Sequence, residues 1–166
     1  GRAVRGAGDV TPYYATEGVA LYLGDCRTVL PALGLEADVV IADPPYQETS
    51  LAWDRWPDGW PGVVATMTRQ LWCFGSMRMW FARHGELEDA GWRLAQDAIW
   101  RKQTGTNFAA DRLRRVHELV LHWYRGDWTG LYRDVPREPS RRPLETGRKR
   151  QTQRTSATPK SPRTAT

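Results

Sequence analysis

Cysteine and histidine are scarce in this sequence of 166 residues, with two and three respectively. Cys26 and Cys73 suit a reduced intracellular protein and form no metal-binding pattern, so no metal site is predicted. No run of about 18 apolar residues occurs, so no membrane-spanning helix is expected. The first residues form no apolar signal segment, which favours a cytoplasmic protein. No internal repeat is present.

A glycine-rich turn between a strand and a helix is also missing. Proteins that bind an adenosyl cofactor use such a turn to approach the ligand with their backbone. The nearest candidate is Gly6-Ala7-Gly8-Asp9. Too few residues precede it to form the strand that the turn requires.

Positive charge is concentrated at the C-terminal end. The formal net charge is +5. Residues 137–166 hold 9 Lys/Arg and 2 Asp/Glu, a net of +7, whereas the preceding residues have a net of −2. This terminal stretch is rich in Arg, Pro, Ser and Thr, and its composition predicts a disordered tail. The tail is either a phosphate-binding arm or a solvated appendage.

The chain is organised around Asp43-Pro44-Pro45-Tyr46. It follows residues 38–42, an apolar, β-branched run typical of a buried parallel strand. Each proline keeps the preceding residue extended and contributes no N–H group. Ligands of open α/β sheets bind just past the carboxyl ends of the strands. The stretch is therefore either a ligand-binding loop, which we favour, or a tight proline turn with a capping aspartate.

The exocyclic amine of a nucleobase is a group that needs this arrangement. Its lone pair is delocalised into the ring, which makes it a poor nucleophile. Acceptors on its N–H bonds can hold the nitrogen closer to tetrahedral and direct the lone pair at an electrophilic methyl group. An aromatic ring can stack on a base that has left the helix. Asp43, Pro44, Pro45 and Tyr46 are thus the candidate catalytic residues.

This loop resembles that of the site-specific DNA amino-methyltransferases, which use S-adenosylmethionine to modify adenine N6 or cytosine N4. The resemblance covers about residues 12–126. Its other segments are Leu21-Tyr22-Leu23-Gly24-Asp25-Cys26, Ile99-Trp100-Arg101-Lys102 and His117-Glu118-Leu119-Val120-Leu121. The Asp-Pro-Pro-Tyr form is commoner among the adenine-N6 enzymes, so adenine is favoured over cytosine.

The resemblance implies a cofactor, partners and further site residues. Asp25, Cys26 and Asp43 are expected to bind S-adenosylmethionine, although Asp25 can equally be the N-cap of the next helix. DNA is the implied substrate, in a restriction-modification system of a bacterial or phage-infected cell. Residues 49–60 form a tryptophan-rich stretch in which prolines and a glycine predict irregular structure. Its tryptophans, Trp53, Trp56 and Trp60, either stack on bases and cover the site or anchor this loop in the core, and the second interpretation is slightly favoured. Arg112, Arg114 and Arg115 either contact DNA phosphates or form ordinary surface ion pairs.

The missing glycine-rich turn is explained by a permuted arrangement of this family, in which the catalytic half comes first and the cofactor half last. The chain is then expected to be truncated before the cofactor half. The strand at 18–23 and the strand before Asp43 would either lie apart or pair with each other. Exposed strand edges would invite a complementing chain or a second copy. The alternative function is a catalytically inactive remnant that binds nucleic acid.

The predicted fold is therefore α/β: a partial class I methyltransferase sheet, Rossmann-like, with flanking helices. Residues 1–11 are expected to be flexible, 12–134 to form the catalytic-half domain, and 135–166 to form the basic tail. The predicted helices are 26–33, 61–70 and 77–90, and the later strands 71–74, 92–100 and 116–124. A polar loop is expected at 101–110. His117 and Glu118 are expected to be structural.

Overall fold

The computed structural model describes residues 10–106, 111 and 113–131. Its elements, in chain order, are β1 (Tyr14–Thr16), β2 (Val19–Leu21), α1 (Cys26–Leu33), β3 (Val40–Ala42), α2 (Trp60–Ala65), β4 (Gln70–Gly75), α3 (Met77–Asp89), β5 (Arg93–Thr106), β6 (Arg115–Tyr124) and a short 3-10 helix (Trp128–Gly130). The predicted α/β class is confirmed. The predicted tail at 135–166 and most of the predicted flexible N-terminus lie outside the described residues.

Four strands form the main sheet, in the order β3-β4-β6-β5. β3 is parallel to β4, with Ala42 beside Cys73. β6 is antiparallel to both of its neighbours. Because parallel strands end at the same edge, the chain leaves β3 at Asp43 and β4 at Ser76 side by side. The segment that the sequence singles out therefore begins beside the start of α3.

The N-terminal hairpin stands apart from this sheet. β1 and β2 pair with each other, with Tyr14 opposite Leu21, in a two-stranded sheet of their own. The sequence left two arrangements open for β2 and β3, and the structure has the one in which they do not pair.

Two predicted boundaries are wrong. β5 continues through Thr106, where a polar loop was expected from residue 101, because residues beyond Trp100 still pair with β6: Arg101 lies opposite His117. A polar composition does not prevent pairing on a solvent-exposed ribbon. The second helix ends at Ala65 instead of residue 70, because Gln70 already pairs with Tyr124 in the sheet.

Side-chain caps begin the two longer helices. The Asp25 carboxylate accepts a hydrogen bond from the backbone N–H of Arg27 at 2.9 Å. Ser76 Oγ accepts one from the N–H of Met79 at 3.0 Å. Each cap satisfies a donor that a helix leaves unpaired in its first turn. α1 has the predicted bounds, and α3 ends one residue early, before Gly91 in the left-handed region.

The hydrophobic core lies between one face of the sheet and α3. Leu71 and Cys73 of β4 face the core with Leu121 and Trp123 of β6. The Trp123 ring lies 5.8 Å from that of Trp80, between ring centroids. Further core residues are Trp56, Trp60, Val64, Met79, Leu87 and Trp92. The sheet and α3 therefore hold the edge at which β3 and β4 end.

The outer edge of β3 is unpaired within the part of the chain that the structure describes. The Ile41 side chain, at the centre of this strand, is 70% exposed. A parallel strand is normally covered on both sides and both faces. β3 therefore offers backbone hydrogen-bonding groups and an apolar side chain to further polypeptide.

His122 is buried on the opposite face of the sheet. Its ring is stacked on Trp72, with 4.3 Å between the ring centroids and 4° between the planes. Both ring nitrogens are buried without a hydrogen-bond partner among the described residues. Burial lowers the pKa of His122 because water cannot solvate the charged ring.

The fold is therefore expected to lose stability in mild acid. The pKa of His122 in the folded state lies below its unfolded value of about 6.5, so stability is at its full value above pH 6.5. Below pH 6.5 the unfolded state binds the proton more readily than the folded state, and the free energy of unfolding falls by at most about 1.4 kcal/mol per pH unit. Thermal melts from pH 7.5 to 5 should show this for the unaltered chain and much less for His122→Phe. His117→Phe, at an exposed position near the start of the same strand, should keep the full acid sensitivity; an equal change in both variants would contradict the assignment.

No helix in the described ranges is both long enough and apolar enough to cross a membrane.

Candidate active site

The loop that follows β3 brings Asp43 and Tyr46 into contact. The Tyr46 hydroxyl donates a hydrogen bond to Asp43 Oδ1 at 3.0 Å. Asp43 is exposed, whereas Pro44, Pro45 and Tyr46 are half-buried. Burial, followed by the hydrogen bond to Asp43, raises the pKa of Tyr46 well above its usual value. The hydroxyl therefore stays protonated and acts as a donor to the carboxylate.

Asp54 organises the segment that comes directly after Tyr46. Its carboxylate accepts hydrogen bonds from the backbone N–H groups of Gln47 at 2.7 Å, Glu48 at 2.9 Å and Thr49 at 2.6 Å. A fourth comes from the Thr49 hydroxyl at 2.7 Å. Asp54 is 3% exposed, and these donors, led by the Thr49 hydroxyl, lower its pKa. Gln47 adopts a φ of 58°, which is uncommon for a residue other than glycine.

Polar contacts fasten this loop to α3. Arg83 donates to the Gln47 side chain at 2.5 Å, and Ser76 Oγ donates to Glu48. Glu86 accepts from Trp56 Nε1 and from the backbone N–H of Gly59, both at 2.5 Å. The loop is therefore held at three points along the helix, although its composition predicted irregular structure only.

The tryptophans of this loop divide between two roles. Trp56 and Trp60 are buried in the core, their rings edge to face at 5.7 Å. Trp53, the candidate for base stacking, is 68% exposed. The anchoring reading thus applies to two tryptophans and leaves Trp53 accessible to a ligand.

One face of the sheet carries a carboxylate and an aromatic pair from β4, β5 and β6. Glu118 is paired with Lys102 of β5. On the same face, the exposed Trp100 meets Phe74 at 5.6 Å between ring centroids. The charge of Glu118 also contributes to the raised pKa of Tyr46. The sequence treated Glu118 as structural, and no local signal indicated its pair with Lys102.

The two candidate cofactor residues at the start of α1 have other partners. Both oxygens of Asp25 accept hydrogen bonds from Arg27, whose Nη2 lies at 2.6 Å. The hydrogen bond from the Arg27 side chain lowers the pKa of Asp25 to about 2. Cys26 is half-buried, and burial raises its pKa, so its thiol is not activated. Asp25 is thus the N-cap that the sequence allowed, and among the described residues no hydrogen bond joins it to Asp43.

Two of the three arginines predicted either to contact DNA or to form ion pairs lie among the described residues. Arg114 is exposed, and its methylene groups lie against Gly105 across the β5–β6 ribbon, where a Cβ would come within 2.5 Å of Arg114 Cγ. Arg115 pairs with Glu48 at 3.3 Å. Arg112 lies outside the described residues. The structure therefore places one accessible arginine and one ion-paired arginine at the outer end of β6.

Sequence reasoning missed Asp54, Glu48 and the pair of Lys102 with Glu118. Asp54 follows Gln47 by seven residues, a spacing that is typical of no motif. An ion pair between residues of different elements has no signature in the local sequence. Asp54 lies between Trp53 and Trp56 in the sequence, but its hydrogen bonds depend on the unusual backbone turn at Gln47.

No protein-family model matches the sequence. Among solved structures, the chain is similar to the crystal structure of an M1.HpyAVI–SAM complex, with a TM-score of 0.50 and 19% identity, over 72% of this chain and 59% of that chain. The crystal structure of M1.HpyAVI is matched with a TM-score of 0.45 and 19% identity, over 61% of this chain and 51% of that chain. The first likeness shows that the described core shares its fold with that protein. The chain spans 59% of the length of that protein.

Proposed function

We propose that this chain carries the target-base half of a DNA amino-methyltransferase that uses S-adenosylmethionine, with adenine N6 as the favoured acceptor and cytosine N4 as the alternative. The observation that carries this proposal is the Asp43–Tyr46 loop, which begins directly after β3 in a methyltransferase fold and joins an exposed carboxylate to an aromatic ring. A proline turn alone would not need the tyrosine hydroxyl on the aspartate.

Asp43 and the Pro44 carbonyl are the acceptors for the target amine. An acceptor on each N–H bond draws the nitrogen towards tetrahedral geometry and exposes its lone pair. Asp43 is exposed, so an incoming amine can reach its carboxylate and displace the Tyr46 hydroxyl. The freed Tyr46 ring then stacks on the base outside the helix.

When bound, the cofactor supplies a methyl group on a positively charged sulfur. Asp43 and the Pro44 carbonyl would orient the lone pair of the amine towards this methyl group, and the proton that the amine gives up would pass to solvent. Asp43 stabilises the positive charge that develops on the nitrogen, which is how an oriented acceptor lowers such a barrier.

The cofactor fits the described residues only in part. Asp43 offers an exposed carboxylate on the ligand side of the sheet, which suits an ammonium or hydroxyl donor. Asp25 fits poorly because Arg27 engages both of its oxygens. The sequence offers no glycine-rich turn after a strand for the adenosyl group. The rest of the site is therefore assigned to polypeptide outside these residues.

A complementing segment, another chain or a second copy would supply that part. The unpaired edge of β3 and the exposed Ile41 support this proposal, because they are the places at which a further strand would extend the sheet beside Asp43. DNA is the proposed substrate, with Trp53 and Arg114 as accessible contacts.

Cofactor binding by this chain alone is expected to be weak. Without the adenosyl-binding turn, titration calorimetry with S-adenosylmethionine should give a dissociation constant above about 100 μM, weaker than about −5.5 kcal/mol. S-adenosylhomocysteine serves as the control ligand, since it lacks the charged methyl group. Micromolar binding of either ligand would contradict the assignment of the cofactor site to further polypeptide.

The proposed function itself is tested by the product. Duplex DNA, labelled S-adenosylmethionine and this chain should yield N6-methyladenine after digestion when complementing polypeptide is added, and little product without it. N4-methylcytosine would overturn the choice of base. No labelled base, under conditions where the chain binds both DNA and cofactor, would overturn the enzymatic proposal and favour a nucleic-acid-binding module.

A further inference from the structure

The carboxylate of Glu48 bridges elements that are distant in the sequence. Its Oε1 accepts a hydrogen bond from Ser76 Oγ, at the start of α3. Its Oε2 pairs with Arg115 Nη1, at the start of β6, at 3.3 Å. One glutamate thus connects the loop after Tyr46 to a helix and to the β5–β6 ribbon.

The position of this carboxylate is fixed by its surroundings. The backbone N–H of Glu48 donates to buried Asp54, and the neighbouring Gln47 is held by Arg83. The Glu48 side chain is 18% exposed, whereas that of Arg115 is 45% exposed. The glutamate is therefore held in place, and nearly half of the arginine still faces solvent.

Arg115 uses one nitrogen for Glu48, although a guanidinium can donate through a fork of two. A carboxylate and a phosphate present similar oxygen acceptors to this fork, and a phosphate of the DNA backbone can engage it bidentately. Exposed Arg114 is the preceding residue and adds positive charge at this end of β6. Glu48 therefore occupies the position on the Arg115 guanidinium that a DNA phosphate would occupy.

We propose that Glu48 is an internal competitor for DNA phosphate at Arg115, and that DNA binding exchanges the Glu48–Arg115 pair for a phosphate–Arg115 pair. This inference rests on the proposed DNA substrate. Glu48 is two residues from Tyr46, so the exchange releases one attachment of the catalytic loop when DNA arrives. The pair then restrains the loop in the free protein and yields to the substrate.

The test is Glu48→Gln, measured with a duplex of arbitrary sequence and without cofactor. The glutamine oxygen can still accept from Ser76, so the loop keeps that attachment, while Arg115 loses its charged partner. DNA affinity at low salt should rise about three- to tenfold, in keeping with the modest strength of a partly exposed ion pair. The log–log slope of affinity against salt should stay nearly the same, because Arg115 neutralises the same phosphate in both proteins once DNA is bound.

Glu88→Gln is the matched control because Glu88 is exposed on α3 and its replacement changes the net charge equally. Its effect should stay below about twofold, since a distant charge is screened at moderate salt. Arg115→Ala should weaken binding on its own. In the Arg115→Ala background, Glu48→Gln should no longer raise affinity, because a double-mutant cycle isolates the coupling between the two residues.

Each outcome of these binding measurements either supports or overturns the proposed exchange. A gain in Glu48→Gln that disappears with Arg115→Ala supports the exchange. Equal gains in Glu48→Gln and Glu88→Gln, or a gain that survives Arg115→Ala, overturn it while the proposed DNA substrate stands. If the unaltered chain binds no DNA at low salt, both the exchange and the proposed substrate are overturned.

Discussion

Replacing Asp43 by alanine is expected to lower methyl transfer by the completed enzyme at least about a hundredfold, equivalent to roughly 3 kcal/mol of transition-state stabilisation. The carboxylate accepts from the target amine as positive charge develops on the nitrogen, and alanine offers no acceptor there. Single-turnover methylation is the informative measurement because it separates chemistry from product release. Near-normal turnover in Asp43→Ala would refute the mechanism.

Variants of Tyr46 provide the matched controls. Tyr46→Phe removes the hydrogen bond to Asp43 but keeps the ring, so turnover should change only a few-fold. Tyr46→Ala removes the ring and should weaken base extrusion by about 1–3 kcal/mol, the usual contribution of base stacking. His117→Ala, an exposed residue on β6, should leave the chemistry intact. Equal losses in Tyr46→Phe and Tyr46→Ala would show that the hydroxyl, not the ring, is required.

Replacing Asp54 by alanine should release the loop after Tyr46. Three backbone amides lose their common acceptor, so hydrogen exchange at Gln47, Glu48 and Thr49 should become at least about a hundredfold faster. Exchange measured by NMR at these three amides is the direct readout, and methylation by the completed enzyme should fall with it.

Asp58→Ala is the control for this release, since Asp58 lies in the same tryptophan-rich stretch but is exposed and only loosely paired with Arg83 at 3.6 Å. It should leave the three amides protected. Because hydrogen bonds lower the pKa of Asp54, the carboxylate stabilises the fold above its unfolded pKa of about 3.9. That contribution is lost only as pH falls through the lower folded value, so the protection should persist at pH 5. Slow exchange in Asp54→Ala would show that the turn at Gln47 is held by other contacts.

Local signals predicted most of the elements. Asp25 before an amphipathic stretch indicated α1, and Ser76 and Gly91 mark the start and end of α3. The apolar run before Asp43 indicated β3, and the adjacent prolines indicated an extended loop. Each of these depends on neighbours within a few residues, which a single sequence displays.

What depends on pairing between distant strands was harder to predict. The extension of β5 to Thr106 depends on β6, and the sequence of 101–106 has no strand pattern of its own. The placement of Glu118 on the same sheet face as Phe74 and Trp100 follows from the register of three strands, which a one-residue shift would abolish. The Asp54 and Glu48 contacts likewise join residues through a turn whose geometry is unusual. The candidate catalytic residues were visible because they are adjacent in the sequence, whereas the residues that hold their loop in place are dispersed.

The unpaired outer edge of β3 also affects the tendency of the protein to aggregate. The strand is only three residues long, and two prolines follow one residue after its end. A short edge with adjacent prolines is a poor template for fibril-like growth, because an incoming strand finds few donors and cannot extend the ladder past Asp43. Backbone pairing at this edge is therefore too weak to select a partner by itself. Any polypeptide that completes the sheet must bring its own apolar surface to cover Ile41, so fidelity of assembly depends on side-chain shape more than on the strand edge.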